Sequence, residues 1–340
     1  MLTGKIKNNM INQNQKLNPK IFENDCEQVP IRKGFGEGLL KVGESDSSAV
    51  ALCADLTDST QMNLFKTKYP NRFIEMGVAE QNLASVASGM ASIGKLPFIS
   101  SYAMFSPGRN WEQIRTTICY NNRKVIIAGS HAGVSVGPDG GTHQAIEDIA
   151  LTRVIPNMIV VSPCDAIEAR KATIALAQSK VKSPSYIRLA REKTPIITTE
   201  ETPFEIGKAS VLFDSPQTMV AIIATGALVH KALIASRELE QEGVFTTVIN
   251  LSTIKPLDRN TILEVAKKVK AIVTVEEHQK AGGMGSAVAE LLAENYPLPM
   301  KFVAIQDQFG QSGTPEELLE HYGLGVQHIK KAVKEICVQN

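Results

Sequence analysis

The chain is predicted to be an α/β protein built from two doubly wound domains. Short β-prone runs alternate with helical patterns along most of its length, the rhythm of parallel strands covered by helices on both faces. An aperiodic stretch with two prolines, Thr-Pro-Ile-Ile-Thr-Thr-Glu-Glu-Thr-Pro at 194–203, breaks that rhythm and reads as a linker. At 340 residues the chain is also too long for one typical domain.

Residues 1–29 stand apart. They are rich in Asn, Lys and Gln and lack a sustained apolar core for a signal peptide, so a disordered or loosely packed extension is expected. The first domain, 30–193, has strands predicted at 48–56, 72–77, 97–102, 124–129, 158–162 and 185–189. Helices are predicted at 79–93, 111–121, 143–154 and 166–179. In the first of these, Leu83, Val86, Ala87 and Met90 fall at i, i+3, i+4 and i+7, one face of a helix. The second domain, 204–340, repeats the rhythm with strands at 218–224, 245–251, 271–275 and 301–305. Its helices are predicted at 228–242, 258–269 and 285–294, followed by a helical tail over 315–336.

Composition narrows the function. With 36 basic and 35 acidic side chains there is no basic excess to hold nucleic acid or an anionic membrane. No apolar run approaches the ~20 residues needed to span a bilayer. The five cysteines are odd in number, far apart and free of CxxC spacing, which makes a reducing cytoplasm the simplest compartment.

Chemistry-bearing residues gather where strands end, the edge at which open α/β sheets bind ligands. Residues 73–82 read Phe-Ile-Glu-Met-Gly-Val-Ala-Glu-Gln-Asn and place Glu80 where a strand turns into a helix. Solvent is limited there, so the carboxylate needs a partner; the plain alternative is a first-turn Glu favoured by the helix macrodipole. Asp55 and Ser59 follow the first strand, Tyr102 and Phe105 the third, and His131 the fourth. The next loop, Val-Ser-Val-Gly-Pro-Asp-Gly-Gly-Thr-His, carries Asp139 and His143, and Arg191 follows the last strand. No Lys-Ser or Lys-Thr makes this loop a Walker motif, and neither histidine has a metal-ligand neighbour at the right spacing.

Five segments carry a family resemblance. Ala-Asp-Leu-Thr-Asp-Ser (54–59), Gly-Val-Ala-Glu-Gln-Asn (77–82) and Gly-Pro-Asp-Gly-Gly-Thr-His-Gln-Ala-Ile-Glu (137–147) resemble the pyrimidine-binding domain of transketolases. Glu-Glu-His (276–278) and Gly-Gly-Met-Gly-Ser-Ala (282–287) are similar to the transketolase C-terminal domain. The 137–147 motif separates the chain from β subunits of 2-oxo acid dehydrogenases. The stretch 98–105 sits closer to 1-deoxyxylulose-5-phosphate synthases. A complete transketolase opens with a diphosphate-binding domain carrying Gly-Asp-Gly. The only Asp-Gly-Gly here lies at 139–141, inside the substrate loop.

The resemblance therefore implies the C-terminal subunit of a split transketolase. Its partner would be an N-terminal subunit bearing Gly-Asp-Gly, in an α2β2 heterotetramer of the pentose phosphate pathway. Thiamine diphosphate would be shared, with Mg2+ (or Ca2+) held by the partner subunit, and a two-carbon ketol unit would pass from a ketose phosphate to an aldose phosphate through a thiamine diphosphate carbanion. The resemblance gives Glu80 the cofactor's N1′, Phe105 and Tyr102 its pyrimidine ring, and Asp55 a place beside it. His131 and His143 would act on substrate hydroxyls, Asp139 would recognise a sugar hydroxyl, and Arg32, Ser59 and Arg191 would hold the phosphate. Glu276, Glu277 and His278 are given no catalytic role. Half of another thiamine enzyme, such as the synthase, and a non-catalytic scaffold remain as alternatives.

Overall fold

The computed structural model describes residues 10–178 and 180–338. Its larger sheet runs Thr253–Lys255, Ile159–Val161, Ser185–Arg188, Ile126–Ser130, Leu96–Tyr102, Ala49–Cys53, Phe73–Glu75. The pairings are parallel except that of Thr253–Lys255 with Ile159–Val161. The second sheet runs Met300–Ile305, Ala271–Gln279, Val220–Ala224, Thr246–Asn250, Ser210–Asp214, the last strand antiparallel. Ala49–Cys53, Ile126–Ser130 and Val220–Ala224 are buried along their whole length. Helices cover both of their faces, which is why these strands read as unbroken apolar runs rather than alternations.

One apolar cluster crosses between the sheets, joining Leu83, Ile99 and Ile149 to Ile223, Ile249 and Ile272. The larger sheet's other face is closed by the helices Ile31–Ser45 and Ala166–Ala177. The first of these has no counterpart in the sequence reading, because Gly34, Gly36, Gly38 and Gly43 dilute its periodicity. Gly34 explains the choice: a Cβ there would lie 1.8 Å from the Ala166 carbonyl oxygen. The cost of glycine in a helix is offset by the close approach of the two helices.

Several segments differ from expectation. Residues 1–9 lie outside the described residues, but 10–29 are packed rather than loose. Ile21 is buried in the second apolar cluster, Asn12 N–H donates to the Leu212 carbonyl, and Asn18 N–H to that of Ile197. A few apolar anchors suffice to dock a polar segment whose backbone finds partners. The stretch 194–203 is likewise not a free linker. Lys193–Pro195 pairs antiparallel with Gln28–Pro30, and Asp165 accepts the Ile197 and Thr198 N–H groups. The second domain is not confined to its own sheet, since Thr253–Lys255 extends the larger one.

The helix predicted at 111–121 is one α turn, Trp111–Gln113, continued by a π-helix, Ile114–Cys119. Thr116 and Thr117 hydroxyls donate to the carbonyls of Glu112 and Gln113, competition that bends a helix. The helix predicted at 143–154 shrinks to Asp148–Arg153, because Ala145 bridges Ala132 in extended form and leaves His143 in a loop. The tail divides into Pro315–His321 and Val326–Val338 around Gly323, whose φ is +74°.

Candidate active site

Glu80 opens the helix Glu80–Ser92, and only 1% of it is exposed. Its carboxylate is not capped by the helix's own N–H groups. Oε1 accepts the Ser101 hydroxyl at 3.2 Å, and Oε2 accepts Arg109 Nη1 at 2.7 Å. Asn110 Nδ2 donates to the Glu80 carbonyl at 3.0 Å and anchors the helix start. The Arg109 guanidinium carbon lies 4.7 Å from the centre of the Phe105 ring.

From Phe105 the contacts continue without a break. Its ring meets His143 edge-on at 5.4 Å and Tyr102 at 6.3 Å, while Tyr102 stacks on His131 at 3.9 Å. His131 follows the strand Ile126–Ser130 with φ +56°, an uncommon conformation for a non-glycine residue and one that clusters at functional sites. Its Nδ1 shares a 2.9 Å hydrogen bond with the Ser130 hydroxyl, which leaves Nε2 for a ligand. The Thr142 hydroxyl occupies His143 Nδ1 in the same way.

At the far end stand two arginines. Arg32 donates to the Ser59 carbonyl at 2.5 Å and, through Nε, to the Arg191 carbonyl at 3.2 Å. Arg191 Nη1 reaches the Val136 carbonyl at 2.6 Å and Asp139 Oδ1 at 3.2 Å. Burial and the Arg191 charge lower the Arg32 pKa. Burial, then Arg32, Arg191 and His143, push His131 down to about 3, so its imidazole is neutral near pH 7. Two half-buried guanidinium groups beside a neutral imidazole make a strongly electropositive pocket suited to a dianion.

The structure thus brings together Glu80, Phe105, Tyr102, His131, His143, Arg32, Arg191 and Asp139. Ser59 takes part through its carbonyl. Asp55 stands aside: it is exposed, has φ +57°, and its N–H is accepted by Glu75 at 2.7 Å. Glu75 also takes the Thr57 hydroxyl and the Gly77 N–H, shaping both loops at that edge. Sequence reasoning missed Glu75, Ser101, Arg109 and Asn110. Ser101 had a detectable signal, since it adjoins Tyr102 at the polar end of a strand that opens Leu-Pro-Phe-Ile.

The second half of the chain braces the loop that carries Asp139 and His143. Gln144 Nε2 donates to the carbonyls of Val134, Gly137 and Gln311, tying the loop to residue 311. Glu277 Oε1 accepts the Ser135 N–H at 2.6 Å, and Arg188 pairs with Asp148 at 2.9 Å while donating to the Glu277 carbonyl. Glu276 accepts the N–H groups of Met284 and Gly285, and His278 Nε2 that of Ala150.

Comparison with known proteins decides the family. Residues 27–196 match the model for the transketolase pyrimidine-binding domain, and residues 188–329 that for the transketolase C-terminal domain. The chain belongs to the transketolase family. A Methanocaldococcus jannaschii protein whose name describes a transketolase C-terminal section is 43% identical, over 90% of this chain and 95% of its own. The 6-deoxy-6-sulfo-D-fructose transketolase subunit of a Clostridium species is 37% identical, covering 93% and 97%. A solved structure described as a split gene transketolase in an inactive β4 tetramer superposes with a TM-score of 0.84 at 42% identity, covering 91% of this chain and 99% of that one. Human transketolase is 35% identical over 92% of this chain, but only 50% of its own length takes part. Transketolases depend on thiamine diphosphate.

Proposed function

We propose that this chain is the C-terminal subunit of a two-chain transketolase that moves a two-carbon ketol unit from a ketose phosphate to an aldose phosphate. The observation that carries the reading is the row from Glu80 through Arg109 to Phe105, Tyr102, His143 and His131, with the charged Arg32–Arg191 pair beside His131. One end suits a protonated heterocycle, the other an anion, and the span between them suits a polyol.

The residues fit thiamine diphosphate. A buried carboxylate whose second oxygen meets a flat cationic donor lying over an aromatic ring is the environment an aminopyrimidine needs. When bound, the cofactor supplies the nucleophile and electron sink for C2–C3 cleavage. Glu80 would hold a proton at N1′, and Phe105, with Tyr102, would carry the ring's face. His131, neutral, would offer Nε2 to the substrate oxygen that becomes an alkoxide, with His143 beside it. Asp139 would accept a sugar hydroxyl. Arg32 and Arg191, set by Ser59 and Val136, would hold the phosphate, and Asp55 would border the cofactor.

Two further observations support a partner. The relatives that this chain covers almost end to end carry names of sections or subunits. Val78 and Ile93, at the two ends of the helix Glu80–Ser92, are 70% and 76% exposed, apolar surface that a partner would cover. The partner would bring the diphosphate-binding domain with Gly-Asp-Gly and its Mg2+, in an α2β2 cytoplasmic enzyme. Sugar phosphates are the proposed substrates; the sulfosugar and apulose-4-phosphate in the relatives' names show that anionic ketoses vary within the family. Titration calorimetry tests this directly: thiamine diphosphate with Mg2+ should bind weakly to the chain alone and tightly once the partner is added. Tight binding without a partner would overturn the two-chain reading.

A further inference from the structure

Arg109 belongs to no motif and is given no part in binding or catalysis above, yet it fills the space that reading requires. A seat for the aminopyrimidine ring is defined by hydrogen-bond reach of Glu80 Oε2 and by the face of Phe105. The Arg109 guanidinium meets both conditions, at 2.7 Å and 4.7 Å. It is flat, cationic and a hydrogen-bond donor, as the ring protonated at N1′ would be.

We propose that Arg109 is a stand-in for the cofactor's pyrimidine ring: it occupies the seat when no cofactor is bound and swings into solvent as the cofactor loads. This rests on the assignment of Glu80 and Phe105 to the cofactor. Its hold is that of a removable group. An arginine carries several N–H donors, but among the described residues Glu80 is the one hydrogen-bond acceptor of the Arg109 side chain. That side chain is 47% exposed, whereas Glu80 is buried. Arg188 shows the alternative: only 7% exposed, it engages both oxygens of Asp148 and the carbonyls of Ala145 and Glu277. Arg188 is fixed structure. Arg109 has one side in the pocket and the other in water.

Two consequences follow. When no cofactor is bound, Arg109 spares Glu80 from being a buried charge without a counter-charge. During loading it competes with the cofactor, and apparent affinity drops by the fraction of molecules in which it is still seated.

The test is calorimetric titration of thiamine diphosphate, with Mg2+, into the assembled complex carrying Arg109, Arg109→Ala or Arg109→Gln, alongside thermal melts of each free chain. Arg109→Ala should bind the cofactor about three- to thirtyfold more tightly, while its free chain melts earlier. Arg109→Gln keeps a flat neutral donor and should shift both quantities the same way by less; it carries the test if Arg109→Ala does not fold. Unchanged or weaker binding in the variant that folds would overturn the proposal, because Arg109 would then be neutral or supportive in the loaded site. Glu80→Gln and Phe105→Ala are titrated in parallel. If these leave affinity unchanged, the seat itself is misplaced. If they weaken it while Arg109→Ala does not tighten it, only the stand-in fails.

Discussion

Glu80, the first residue of the helix Glu80–Ser92, and Glu276, on the strand Ala271–Gln279 of the second sheet, are both buried at the start of a helix, but their partners differ in kind. Glu276 is saturated by backbone: Met284 and Gly285 N–H groups donate to its two oxygens at 2.6 and 2.7 Å. Gly283 makes room for this, since a Cβ there would lie 2.3 Å from the carboxylate. Burial raises the Glu276 pKa, with His278 and the two N–H groups opposing it. Glu80 has side chains instead, the Ser101 hydroxyl and a half-exposed arginine. Depth of burial does not separate the carboxylate proposed for the cofactor from the structural one. What separates them is whether a partner can leave. A cap made of backbone cannot be exchanged for a ligand, whereas a guanidinium on a long side chain can.

The sharpest way to break the comparison is to change both carboxylates. Glu80→Gln should slow turnover of the assembled enzyme by about 10²–10⁴-fold, the size of a lost positioned proton-transfer group, while the free chain keeps nearly its parental stability. Glu276→Ala should do the reverse: activity per folded molecule holds, but stability falls by about 2–4 kcal/mol as two buried N–H groups lose their acceptor. Kinetics paired with urea melts read both. A stability loss in the first variant matching that in the second would place Glu80 among the structural caps.

A smaller effect is expected at the phosphate end. Arg191→Ala should lower kcat/KM by roughly ten- to a hundredfold on xylulose 5-phosphate, as one charge-assisted hydrogen bond is lost, and far less on hydroxypyruvate. Equal losses on the two donors would mean that Arg191 serves the loop, through Val136 and Asp139, rather than the substrate.

A different kind of effect is expected on acid stability. The folded His131 resists protonation down to about pH 3, whereas an unfolded histidine takes a proton near pH 6.5. Between those values the unfolded chain binds more protons, so this group's contribution to stability is present above about pH 6.5 and is lost as pH falls toward 3. His131→Asn should flatten that part of the stability profile in melts between about pH 4 and 7. A slope equal to the parent's would show that the imidazole is not held neutral by burial and the neighbouring Arg32 and Arg191 charges.

Much of this was legible in the sequence for a geometric reason. Strand ends in a parallel sheet share one edge, so Tyr102, His131 and Arg191 come together once their strands are recognised. Arg109 was not legible, because it sits in a loop without periodicity and its partner is 29 residues away. The helix Ile31–Ser45 was hidden by the glycines that let it pack, and the docking of residues 10–29 by a polar composition that says nothing of backbone partners.

The strand Thr253–Lys255 has a practical consequence for anyone dissecting the protein. A fragment stopped at the proline-rich stretch would leave Ile159–Val161 as an uncovered margin, with Val160 and Val161 beside a row of free amides and carbonyls. Such a fragment would recruit a neighbour's strand and precipitate, and the remainder of the chain would carry a β segment with nothing to join. The units drawn by sequence pattern are therefore not units of expression: the two sheets are laced together, and a cut between them yields two sticky halves.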